Sequence, residues 1–168
     1  MNSEFQTRLF SETEGFFSLR GLNVLHEDID GRDILVLEPH SSDTFDDCNI
    51  SVNETTEQTA AVDILFTLGA ELDSELCDSI DELLLYLNKF LTIGSFGLER
   101  EGGYFYFGCS YLADTAAPTE QMMKVFLMTW QIAADTAVQG VWILQSLKGG
   151  DVQLSELLND DTSIIQLD

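Results

Sequence analysis

Positive charge is what this chain has least of: its 168 residues include 7 Lys or Arg against 30 Asp or Glu, a formal net charge of -23. Between residues 33 and 88 there are 14 acids and no Lys or Arg at all. Grooves that hold free nucleic acid depend on cations, and an anionic bilayer leaflet repels carboxylates, so neither is an expected partner. Cysteine is equally sparse. Cys48, Cys77 and Cys109 are odd in number and form no CxxC pair, which argues against a disulfide framework or a zinc knuckle and leaves them as small core hydrophobes. The only histidines, His26 and His40, stand in acidic, turn-like surroundings and suggest no metal site or triad. No GxSxG elbow, HExxH, Walker loop or dinucleotide fingerprint occurs. Asp28-Ile29-Asp30-Gly31 begins like a calcium loop, but its glycine comes two positions early and no bidentate Glu follows at the required distance. The chain therefore reads as non-enzymatic, with no catalytic, metal or cofactor residues to name. Its first 20 residues contain no long apolar run, so a cytosolic (cytoplasmic) location is expected.

What the chain does have is material for a core. Hydrophobic residues make up 45% of it, with 11 Phe, 4 Tyr and 2 Trp, enough to offset the tendency of strongly acidic chains to stay unfolded. The length suits one domain, residues 1–150, followed by an acidic, leucine-containing appendix at 151–168. Ser3 and Gln6 have capping-box spacing, and Phe5, Leu9 and Phe16 follow at helical intervals, predicting a helix over 4–19. Residues 26–32 read as a polar turn leading into a strand over 33–38 that Pro39 closes. Cys48, Ile50 and Val52 alternate with polar residues, and Val62, Ile64, Phe66 and Leu68 share one face, so two more strands are expected. Leu76, Ile80, Leu83, Leu84, Leu87 and Leu91 recur at steps of three and four, predicting a second helix over 73–91 capped by Asp73 or Ser74. Phe96 and Leu98 pair with Phe105 and Phe107 across Arg100-Glu101-Gly102-Gly103, and Pro118 introduces a long third helix from Thr119 to about Leu147. The fold class is α+β: helix, three strands, helix, two strands, helix, an antiparallel sheet with helices packed on one side.

The last helix raises the question of a partner. Val125–Leu147 contains one charged residue, Asp135, yet Gln131, Asp135 and Gln139 make a polar stripe that a membrane would penalise, so a spanning reading is rejected. Met122, Val125, Phe126, Ile132 and Ala133 line one side of the helix. Met123, Leu127, Trp130, Ala134, Val138 and Val141 line another. A single sheet cannot cover both, and about four large apolar side chains left in water at roughly 1.5–3 kcal/mol each would cost on the order of a whole domain's stability. The second set is therefore the expected partner-binding surface. A homodimer is the commonest solution, although the first helix or the appendix folding back would serve as well.

The run Leu83-Leu84-Leu85-Tyr86-Leu87-Asn88-Lys89-Phe90, followed by Gly94-Ser95-Phe96-Gly97-Leu98-Glu99-Arg100-Glu101-Gly102-Gly103-Tyr104-Phe105, resembles the YbjN-like family, which is similar in fold to the acidic, dimeric chaperones of type III secretion. The resemblance spans most of residues 4–147, while the long apolar last helix and the appendix depart from it. It implies a bacterial, chaperone-like or adaptor module that binds polypeptide clients, and it carries no catalytic residues. An acidic surface also suits attraction of basic client segments. Alternatives from other classes are a small-molecule sensor with an apolar pocket between sheet and helices, and an acidic mimic of nucleic acid.

Overall fold

The computed structural model describes residues 3–39, 44–89 and 91–150; the 151–168 appendix, His40 and Phe90 lie outside them. The order is α1 (Glu4–Ser18), β1 (Asn23–Ile29), β2 (Arg32–Glu38), β3 (Asp47–Glu54), β4 (Thr59–Gly69), α2 (Ser74–Asn88), β5 (Ser95–Glu99), β6 (Tyr104–Asp114) and α3 (Thr119–Gly149). The class is α+β, with three helices and one six-stranded sheet in the order β1-β2-β3-β4-β6-β5, every neighbouring pair antiparallel.

Four strands precede α2, not three. The stretch read as a polar turn contains the turn Asp30-Gly31, but its residues 26–29 are the second half of a strand, β1, paired with β2 from Asn23↔Glu38 to Ile29↔Arg32. Its side chains are exposed almost throughout, so it has no buried face to produce an apolar alternation. The loop between the two strands is Asp30-Gly31, whose φ angles of 55° and 79° are both left-handed, as a two-residue hairpin turn matching the strand twist demands. The Asp28 carboxylate accepts from the Gly31 N–H at 2.9 Å. The apparent calcium loop is thus a hairpin turn, and no group of metal-ligating side chains occurs among the described residues.

Local chemistry explains the helix starts. Ser3 accepts from the Gln6 N–H at 3.1 Å and Asp73 from the Leu76 N–H at 2.9 Å, each satisfying a first-turn donor. The Gln6 side chain does not return to the cap but donates to the Asp33 carbonyl at 3.1 Å, fastening α1 to β2. The second helix ends at Asn88, short of the expected residue 91. Pro118 stands just before α3 as its N-cap, with φ -55° and ψ 145°, a conformation its ring favours.

Ala60, Val62, Ile64, Phe66 and Leu68 of β4 and Phe105 and Phe107 of β6 are buried and belong to one core with the inward residues of the three helices. The opposite face of the sheet carries Asp47, Asn49, Asp63, Thr67 and Ser110, joined by side-chain hydrogen bonds. No helix among the described residues is long and apolar enough to cross a membrane.

Candidate functional site

The six residues expected at a partner surface fall mostly inside the chain's own core. Ala134 and Val141 are buried, and Met123, Leu127 and Trp130 are half-buried against core residues. Val138 alone is exposed. The cover is α1: the ring of Phe17 lies 4.6 Å from that of Trp130 and 6.5 Å from that of Phe126. The first helix thus shares with the sheet the cover of this side. The indole N–H of Trp130 is buried in the core. Its neighbour is the Cys48 thiol, pushed well up by burial and only partly relieved by the indole.

The open stripe of α3 is a different one. Val125, Met128 and Ile132 are exposed, and Trp142 projects from the same helix two turns beyond the polar pair formed by Gln131 Nε2 donating to Asp135 at 2.9 Å. With Ile93, Cys109, Ser110, Tyr111 and Thr129, the first three line a cleft of about 250 Å³ that carries no charged group. Burial pushes the Cys109 thiol up to about 11, with the Asp63 carboxylate adding to the effect. Burial also raises Tyr111, whose hydroxyl has no hydrogen-bond partner. Neither group is set up as a nucleophile, because both are held in their neutral forms at neutral pH.

The two sheet edges differ in kind. At β5, Asn88 from the end of α2 donates through Nδ2 to the Phe96 carbonyl at 3.0 Å and accepts from the Phe96 N–H at 2.7 Å. Its amide acts as one residue of an additional strand and blocks that edge. At β1 the strand has β2 on one side and, among the described residues, no strand on the other. This open edge runs seven residues, about 23 Å. It carries Glu27 and Asp28, with Asp30 in the adjoining turn. His26 lies over it, 3.5 Å from Glu14 and 3.8 Å from Asp33. On the face away from the helices, Leu25 stands opposite Val36 and Glu27 opposite Ile34.

Arg100, in the β5–β6 turn, bridges Asp78 and Asp81 on the exposed face of α2, and the two carboxylates raise its pKa, Asp81 foremost. It ties the turn to the helix. Arg8 does the same for α1 by donating to the Thr115 carbonyl at 3.1 Å. Both cations thus have structural duties.

No protein-family model matches the chain, and no curated protein matches it either. Nothing in the sequence reading pointed to β1 or to Asn88. The signal for the first was the Asp30-Gly31 dipeptide, a hairpin marker when flanked by strand-length segments. A lone Asn at a helix end announces no tertiary partner.

Proposed function

We propose that the protein is a non-enzymatic, chaperone-like or adaptor module that captures basic, extended polypeptide segments by strand addition at β1. The observation that carries this reading is the asymmetry of the edges: Asn88 occupies one, whereas β1 has no strand beyond it among the described residues and carries Glu27 and Asp28 toward its end. An unpaired edge offers a ladder of backbone donors and acceptors to any extended chain, and side chains choose among chains. Carboxylates at Glu27 and Asp28 oppose a second β1, which would bring like charges together, and favour a segment carrying Lys or Arg. The resemblance to the YbjN-like family and to type III secretion chaperones points the same way, toward polypeptide clients of a bacterial cytosolic protein. A small-molecule sensor is less well supported. The apolar cleft of about 250 Å³ is open to solvent and lacks charged groups, below the roughly 300–1,000 Å³ usual for ligand pockets.

A fluorescently labelled peptide alternating Lys and Val tests the reading by polarisation. Binding is expected at low salt, weaker at high salt as screening shortens the reach of the carboxylates, and at least tenfold weaker for Glu27→Lys. Absence of binding to this peptide at low salt, together with recovery of no polypeptide from native cytosol at either salt, would remove it.

A further inference from the structure

Charge is spread unevenly over the helices. α1 carries Glu4, Glu12 and Glu14 against Arg8, and α2 carries Glu75, Asp78, Asp81 and Glu82 with no cation. In α3, Glu120 and Asp135 are balanced by Lys124 and Lys148, so the longest helix is neutral and the -23 resides elsewhere. Two copies of so acidic a protein repel across most approaches, but not across the solvent face of α3. That face is also apolar: Val125 is 43%, Met128 58% and Ile132 42% exposed. At 100° per residue these three fall within an arc of about 60°.

Beside them, Lys124 and Asp135 are eleven residues apart, which places them about 16 Å apart along the axis and within about 20° of each other around it. Lys124 makes no ion pair among the described residues. A two-fold axis crossing α3 midway between them brings Lys124 of each copy opposite Asp135 of the other. The same operation brings Val125 within about 3 Å, along the axis, of the level of Ile132 on the other copy and places Met128 near the centre. We infer that the protein forms a symmetric dimer through antiparallel contact of this face of α3 with the same face of a second copy. Such an isologous contact needs one self-complementary patch, which the stripe provides. It is the opposite stripe from the one α1 covers, and it leaves β1 free.

Sedimentation of the full chain over micromolar concentrations tests this. The wild type is expected to approach twice 18.7 kDa, and Met128→Glu to sediment as a single subunit with an unchanged far-ultraviolet circular dichroism spectrum, since Met128 is mostly exposed. Val125→Lys serves as the second variant should Met128→Glu lose its fold. Lys124→Glu sets two carboxylates against each other and should weaken association at least tenfold. Adding Asp135→Lys reverses both charges and should restore it. A wild type that stays at 18.7 kDa, a dimer that survives both Met128→Glu and Val125→Lys, or a charge-swapped double variant no tighter than Lys124→Glu would overturn the inference.

Discussion

The ring of Phe17 in α1 rests 4.6 Å from the indole of Trp130 in α3. This one contact decides which side of the last helix is available. Phe17 is 1% exposed, and it also meets Phe126 edge-on, so α1 fills the second apolar stripe as a core element. Trp130 in turn lies 6.1 Å from Phe66 of β4, joining both helices to the sheet.

Truncating Phe17 tests the closure. Phe17→Ala should cost about 3–5 kcal/mol, the usual loss for a fully buried Phe, and more if the space cannot collapse. Urea denaturation followed by Trp fluorescence measures it. Trp130→Glu should fail to fold, because a carboxylate there would face Phe17 and Phe66 with no partner. A Trp130→Glu variant with wild-type stability would mean that α1 does not close on α3.

Gly140 offers a second test of packing. An added Cβ would lie 2.5 Å from a Phe96 ring carbon and 2.8 Å from Leu68 Cδ1, so the glycine lets α3 sit directly on β4 and β5. In an exposed helix, Gly→Ala stabilises by about 1 kcal/mol. Here overpacking of about 1–3 kcal/mol opposes that gain, and Gly140→Ala should lower stability by up to about 2 kcal/mol. Gly140→Leu should prevent folding. Stabilisation by Gly140→Ala would show that Phe96 and Leu68 retreat without cost.

Asn88 makes a prediction specific to the sheet edge. Asn88→Ala strands the N–H and carbonyl of Phe96 on a partly buried edge, at about 1–3 kcal/mol for each group that water does not reach. Asn88→Asp keeps the acceptor for the Phe96 N–H but cannot donate to its carbonyl, so it should be the milder variant of the two only if the N–H bond dominates. Hydrogen exchange at Phe96 distinguishes them. Its amide should exchange faster in Asn88→Ala and stay protected in Asn88→Asp.

These residues also show which parts of the fold were legible in the sequence. Elements with one buried face announced themselves: Leu76, Ile80, Leu83 and Leu87 predicted α2, and the alternation from Val62 to Leu68 predicted β4. The caps at Ser3 and Asp73 and the turn at Arg100–Gly103 were equally local and equally readable. β1 was missed because an edge strand exposed on both faces has no hydrophobic period, leaving only its Asp30-Gly31 turn as a sign. The burial of the stripe at Leu127, Trp130 and Val141 was illegible for another reason. Periodicity identified two apolar stripes on α3, but which of them α1 covers depends on where Phe17 arrives, a tertiary fact with no local trace. Gly140 is a close-packing site whose role depends on Phe96 and Leu68, far away in sequence.

Asp47 yields a pH prediction. It is partly buried on the open face of the sheet, where desolvation raises its pKa above the ordinary 3.8, against lowering by the Thr67 hydroxyl and with nearby Asp46 adding to the rise. A carboxyl raised in the folded state holds its proton more tightly than in the unfolded chain, so above that folded value its ionisation works against folding. Asp47→Asn removes the charge yet retains a carbonyl oxygen that can accept from Thr67 Oγ1 and Asn49 Nδ2, which now reach Asp47 at 2.9 Å and 2.8 Å. The variant should therefore melt at a higher temperature than wild type at pH 7. The difference should shrink as pH falls through the folded pKa toward 3.8, because the wild-type carboxyl becomes neutral as well. Thermal melts from pH 7 down to pH 3 measure both. A variant less stable than wild type at pH 7, or a difference that grows on acidification, would mean that the ionised carboxylate stabilises this face through its hydrogen bonds more than burial penalises it.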